Sequence, residues 1–166
     1  MPVDPALIGR VFPPTPPHDV SRVEVSRFAD AVGDSDPVHH DVEVARSRGH
    51  RDVPAPPTFA IVIAFEAMTA LLASPDVGIE LRHVVHAAQR FESVRPIVAG
   101  DVLTATLTVE SVRTAAGTDL IATRSDVATV DGKPVCVAYA TLAHRAPERV
   151  PEQVPESTAG PATSRP

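Results

Sequence analysis

Nine consecutive residues, Gly33-Asp34-Ser35-Asp36-Pro37-Val38-His39-His40-Asp41, bring three aspartates and two histidines together. A histidine beside a carboxylate can give and take protons near neutral pH, the requirement for general acid–base work. Asp34 and His39 are the candidate pair, and Pro37 stiffens the turn between them. The same residues also suit an Asx-type turn, with Asp34 bonded to its own backbone and His39 half exposed. A metal site is the poorer reading. His39, His40, Asp41 and His50 lack regular ligand spacing. The aspartates lack the glycine that an EF-hand turn needs. His40 is expected to face solvent. Spacing by itself leaves the acid–base pair and the structural turn both open.

The loop can aim two side chains inward only if the elements around it hold it. Before it, Ser21-Arg22-Val23-Glu24 reads as a capping box. It opens a helix of roughly ten residues with Val25, Phe28, Ala29 and Val32 on its apolar side. Gly33 is the natural stop. After the loop, Asp41 caps a short helix that Gly49 ends. Pro57 then suits the first turn of a longer helix. From Thr58 to Ala73 nearly everything is apolar, so this helix is expected to be buried. Glu66, alone in it, should find a partner such as Arg90 or Arg95, or lie at an interface.

The second half reads as strands. Arg82 to Val94 is one. In the next, Leu103, Ala105, Leu107 and Val109 alternate with threonines, the period-two signature of a half-buried strand. Ala116-Gly117-Thr118 is a turn, and Asp119 to Val130 a further strand. Asp131-Gly132 signals a hairpin, and Pro134 to His144 returns. His83 and His86 fall near the first of these strands as structural or interface residues. Short turns between long strands imply an antiparallel sheet. Wrapping that sheet around the long helix gives an α+β fold with a buried central helix. From Ala146 to Pro166 the chain is rich in proline and polar residues and is expected to be a disordered tail. This leaves residues 1–145 as one domain.

Composition narrows the function. Of 166 residues, 43% are hydrophobic and 4% aromatic, so the core must be built from Val, Ala, Leu and Ile. The net charge is −6, with 15 basic and 21 acidic residues and no basic stripe, which argues against nucleic acid. Cys136 is the only cysteine, so neither an internal disulfide nor a thiolate cluster is available. In V-C-V-A-Y it reads as a small buried hydrophobe. The N-terminus lacks the basic and apolar regions of a secretion signal. The apolar run through Glu66 is shorter than a membrane span. A cytoplasmic protein is the expectation.

Gly33 to His39, G-D-S-D-P-V-H, resembles the hydratase-2 motif of the MaoC-like (R)-specific enoyl-thioester hydratases and dehydratases, with Asp36 standing where asparagine is usual. Arg90 to Leu103, R-F-E-S-V-R-P-I-V-A-G-D-V-L, resembles that family's second marker. The resemblance spans residues 5 to 145. Within the family it is strongest to the FAS1-like dehydratase group, similar to the A subunit of mycobacterial (3R)-hydroxyacyl-ACP dehydratase. It implies a hot-dog fold, reversible syn addition of water to a trans-2-enoyl thioester, and no cofactor. Asp34 and His39 would grip one water between them. His39 would be its base, or the acid in dehydration, and Asp34 would exchange the second proton.

Catalytic members carry a His-Gly pair where the central helix begins, and its backbone N–H binds the thioester oxygen. The matching stretch here is Val53-Pro54-Ala55-Pro56-Pro57-Thr58-Phe59, and proline has no N–H to donate. The next N–H groups, those of Thr58 and Phe59, would take that role. Pro57, Thr58, Phe59 and Arg95 are therefore the expected substrate-binding residues, with Arg46, Arg48 and Arg51 as further basic candidates near the pocket mouth. The expected ligand is an acyl-CoA or acyl-ACP. The expected assembly is a homodimer or a heterodimer with a second hot-dog chain. A non-catalytic, acyl-chain-binding subunit is the alternative reading, and a thioesterase the weaker one.

Overall fold

The computed structural model describes residues 3–145; the proline-rich tail lies outside them. Five strands form one antiparallel sheet in the order β1-β3-β4-β5-β2: β1 (His18–Asp19), β2 (Val84–Ser93), β3 (Val102–Ala115), β4 (Thr118–Thr129) and β5 (Pro134–His144). The β3–β4 and β4–β5 pairs are the hairpins that the turn residues announced. Ala116 and Gly117 both adopt positive φ, 49° and 75°, the mirror-image turn that matches strand twist. The long β2 is an edge strand, hydrogen-bonded to β5 alone, with a bulge between His86 and Ala88.

Three helices lie before the last four strands: α1 (Arg22–Val32), α2 (Val42–Ser47) and α3 (Ala60–Leu72). Ser21 accepts the Glu24 N–H at 3.1 Å, as a cap should. The capping box is only half formed, because the Glu24 carboxylate bonds His18 Nε2 at 2.8 Å instead of the Ser21 N–H. Val25 and Ala29 are buried, but Val32 is 52% exposed, since α1 leaves the core at its last turn. Gly33 ends α1 in the left-handed conformation, φ 75°.

The core lies between α3 and the inner face of the sheet. Leu103, Ala105, Leu107 and Val109 are all fully buried, as their alternation requires. Ile63, Ala67 and Leu71 face them from α3. The helix is not buried on all sides. Phe65 is 51% exposed, and Glu66, Thr69 and Ala70 are exposed with it. The sheet curls around one side of α3 and leaves the other open, so Glu66 stands in solvent without cost. The arginines proposed to meet it are engaged elsewhere, Arg90 with Glu92 and Arg95 with Asp101.

Candidate active site

The Asp34–His39 loop is built by successive caps. Past Gly33, the Asp34 N–H still reaches the Ala29 carbonyl at 2.9 Å, which ties the loop to the end of α1. Asp34 Oδ1 accepts the Asp36 N–H at 3.1 Å. Asp36 Oδ1 accepts the Val38 N–H at 3.0 Å and opens a 3-10 turn, Pro37–His39, with proline in its first position. Arg48 grips both oxygens of Asp36 at 2.8 Å. That guanidinium, followed by the Val38 N–H, holds the Asp36 carboxyl below its ordinary range.

The 3-10 turn sends its two histidines opposite ways. His40 faces solvent, with Ser26 Oγ 2.7 Å from its Nδ1. His39 turns inward and is only 8% exposed. Its Nδ1 lies 2.7 Å from the Pro54 carbonyl oxygen, and its Nε2 lies 3.2 Å from Asp34 Oδ2. A carbonyl only accepts, so Nδ1 carries a hydrogen. Nε2 then faces a carboxylate oxygen, another acceptor. The contact closes only with a proton shared between them, or with a water donating to both. Asp34 thus divides its two carboxylate oxygens. One oxygen makes the Asx turn and the other meets His39.

His39 forms one wall of a cavity of about 460 Å³ with Pro54, Pro56, Pro57, Ser93 and Arg95. Two of the expected binding residues, Pro57 and Arg95, lie on it. Arg95 is fixed by Asp101 at 2.7 and 3.0 Å. Asp101 is itself buried, and also takes the Val98 N–H at 2.9 Å and Arg51 at 2.5 Å. Arg51 is therefore part of this brace. Arg46 pairs with Glu43 on the surface.

Thr58 is exposed at the helix entrance and lines a second cavity. Among the described residues its N–H has no backbone acceptor. Phe59 is different. Its ring is fully buried, edge-on to Phe28 at 5.2 Å, and its N–H is spent on the Pro56 carbonyl at 2.9 Å. It supports the wall from behind and offers no free donor. Pro56 and Pro57 start the helix as a 3-10 turn, Pro57–Phe59, and this consumes the Phe59 N–H one residue early.

Sequence reasoning missed three residues. The Pro54 carbonyl that sets the His39 tautomer is a backbone group with no sequence signature. Ser93 reaches the cavity because β2 ends there. Asp101 was visible only as one residue of the marker from Arg90 to Leu103, with no role attached. Among the described residues, no group of three or more His, Cys, Asp and Glu side chains is placed to hold a metal ion.

A sequence model of the FAS1-like, dehydratase domain region matches residues 6–138. The chain belongs to this family. A UPF0336 protein of Clavibacter michiganensis is 48% identical over 145 residues, covering 87% of this chain and 97% of that protein. One of Leifsonia xyli is 45% identical over 148 residues, covering 89% and 99%. Among solved structures, a chain of the truncated HadBC (3R-hydroxyacyl-ACP dehydratase) complex of Mycobacterium tuberculosis is 32% identical. It has a TM-score of 0.73, over 82% of this chain and 96% of that one. A MaoC-like dehydratase is 31% identical with a TM-score of 0.77, over 84% of this chain and 42% of that one. The fold is accordingly the hot-dog fold of the hydratases and dehydratases, and the resemblance carried by Gly33–His39 and Arg90–Leu103 is borne out. No helix among the described residues is long and apolar enough to cross a membrane.

Proposed function

We propose that this FAS1-like dehydratase-region protein interconverts a trans-2-enoyl thioester and its (3R)-hydroxyacyl thioester, on CoA or ACP, with Asp34 and His39 as the acid–base pair. The observation that carries the reading is the 3.2 Å approach of His39 Nε2 to Asp34 Oδ2 beside an open cavity. The pair holds one shared proton and has two places for it. In dehydration, His39 Nε2 gives its proton to the leaving hydroxyl. The C–O bond breaks, and Asp34 takes the proton from the carbon next to the thioester. Hydration runs the same steps backwards. Water loses a proton to Nε2 as its oxygen bonds to the alkene, and Asp34 returns its proton to the neighbouring carbon. Both groups lie on one side of the substrate, so addition and loss are syn. The Thr58 N–H, at the start of the helix, is the donor proposed for the thioester oxygen. Arg95 and Pro57 shape the opening. No cofactor is required.

The test follows loss of the enoyl-thioester absorbance in wild type, Asp34→Asn and His39→Ala. Asparagine keeps an oxygen for the Asx turn and removes the proton carrier. Turnover should fall about a hundred- to ten-thousandfold in both variants, with Asp34→Asn folded as wild type. Unchanged turnover in both would refute the pair. Release of free thiol instead of hydroxyacyl thioester would mark a thioesterase.

A second reading is favoured by Pro56 and Pro57, which deprive the helix entrance of the donor that catalytic members use. On this reading the chain holds the acyl group while a second hot-dog chain does chemistry; the similar Mycobacterium tuberculosis chain comes from a HadBC complex. The exposed edge strand β2, with Val85 66% exposed, is the surface proposed for a second hot-dog chain, whether a copy or a partner. Co-expression with such a chain should then raise activity well beyond either alone. A stable homodimer with full activity would exclude it.

A further inference from the structure

Asp36 stands between the two members of the Asp34–His39 pair and bonds toward both. Its N–H donates to Asp34 Oδ1 at 3.1 Å, and its carbonyl accepts the His39 N–H at 3.0 Å. Its own Oδ1 caps the intervening turn through the Val38 N–H at 3.0 Å. From the loop side, the 3.2 Å separation of Asp34 Oδ2 and His39 Nε2 is therefore set through this residue. A carboxylate is a charged cap, and water competes with the Val38 N–H for it. Arg48 opposes that competition. A single guanidinium nitrogen, Nη1, lies 2.8 Å from each oxygen of Asp36.

Arg48 is itself well rooted. Its N–H reaches the Val44 and Ala45 carbonyls at 3.2 and 3.1 Å, at the end of α2. Ala45 is fully buried and fixes that helix against the core. At the other end of α2, the Asp41 N–H bonds the Pro37 carbonyl at 2.8 Å and joins the helix to the turn. Residues 36 to 48 thus form a ring that the Arg48–Asp36 pair closes. Both side chains are about half exposed, so the pair contributes little to overall stability. Its effect is local and geometric.

We propose that Arg48, acting through Asp36, is a positioning residue that holds the turn between Asp34 and His39 in the geometry their proton exchange needs. The inference rests on the thioester reading above. It gives Arg48 a role distinct from substrate binding, although its charge lies near the cavity of His39. Rates fall about a hundredfold when reacting groups are misplaced by about 1 Å. A turn that loosens without unfolding should lose about tenfold.

The experiment compares wild type, Arg48→Ala, Arg48→Lys, Asp36→Asn and the double variant Asp36→Asn/Arg48→Ala. Each is read by enoyl-thioester turnover and by amide hydrogen exchange without substrate. Arg48→Ala should lower kcat about tenfold with KM nearly unchanged. It should speed exchange at the Val38 and His39 N–H groups and leave the Val25 N–H of α1 as in wild type. Arg48→Lys presents one ammonium nitrogen to both oxygens, as Nη1 does, and should restore most of the rate. Asp36→Asn keeps an oxygen for the Val38 cap and leaves no charge for Arg48 to hold. In that background the loss of Arg48 should cost less than about threefold. An equal fall in kcat on removing Arg48 from wild type and from Asp36→Asn would overturn the proposal. So would a rise in KM with kcat unchanged, which would make Arg48 a ligand of the thioester. Unchanged exchange at Val38 and His39 would overturn it even in a protein that turns nothing over. An inactive wild type with faster exchange in Arg48→Ala would refute the thioester reading and leave the clamp standing.

Discussion

Removing Asp101 should both destabilise the fold and loosen the cavity. The carboxylate is buried and holds four donors: two from Arg95, one from Arg51 and the Val98 N–H. In Asp101→Ala the Val98 N–H loses its partner in a buried position, at about 1–2 kcal/mol. The lost charge-assisted bonds to Arg95 add about 1–2 kcal/mol. The full penalty for orphaning a buried ion does not apply, because the Arg51 and Arg95 side chains are 60% and 35% exposed and can turn to water. The sum is about 2–4 kcal/mol, which for a chain of this size lowers Tm by about 5–10 °C. Urea unfolding at pH 7 measures it directly.

The pH dependence checks the cause. Burial by itself raises the Asp101 carboxyl, but Arg95, the Val98 N–H and the charge of Arg51 outweigh it and hold it below its ordinary value. A depressed carboxyl stabilises the fold above its unfolded pKa of about 4. That stability is lost as pH falls through the lower folded value. The gap between wild type and Asp101→Asn should therefore be full at pH 7 and should shrink below about pH 4. A variant within about 0.5 kcal/mol of wild type at pH 7 would refute the account. So would a gap that persists unchanged into acid. The same variant should weaken thioester binding, since Arg95 loses the anchor that holds it on the cavity wall.

Other outcomes follow from single contacts. The Asp52 carboxyl, paired with Arg22 at 2.7 Å, is lowered to about 2, so an NMR titration should place it there, and Arg22→Ala should return it toward the ordinary carboxylate value. Cys136 is buried, and burial raises its thiol pKa, so a thiol reagent at pH 8 should leave the native protein unmodified and react fully in urea. Ala116 adopts a positive φ of 49° without being glycine or asparagine; Ala116→Asn should stabilise the β3–β4 turn by about 0.5–1 kcal/mol in urea unfolding. Val85→Lys on the exposed edge strand should block pairing through β2 and shift any dimer to monomer by size-exclusion chromatography.

Local features were legible because they depend on neighbours along the chain. The Ser21 and Asp41 caps, the Gly33 stop, both hairpin turns and the inward run from Leu103 to Val109 are each set by a few adjacent residues. The loop from Gly33 to His39 was likewise legible as a turn that brings Asp34 and His39 together. Composition could not show that α3 leaves Phe65 and Glu66 uncovered, because an apolar helix carries no record of how much sheet is available to wrap it. Nor could it separate Thr58, whose N–H has no backbone acceptor among the described residues, from Phe59, whose N–H is spent.

Sequence alone determined that Asp34 and His39 share one short, proline-stiffened loop, and so lie within reach of each other. Tertiary structure decided what that nearness is worth. The Pro54 carbonyl, distant in the chain, meets Nδ1 and leaves Nε2 for Asp34. Asp101 holds Arg95 on the cavity wall, and β2, arriving from the other half of the chain, brings Ser93 to it. The physical reason is that a proton's position and a cavity's lining depend on groups that meet only when the sheet closes around the helix, and backbone carbonyls and strand ends leave no pattern in the sequence to announce them.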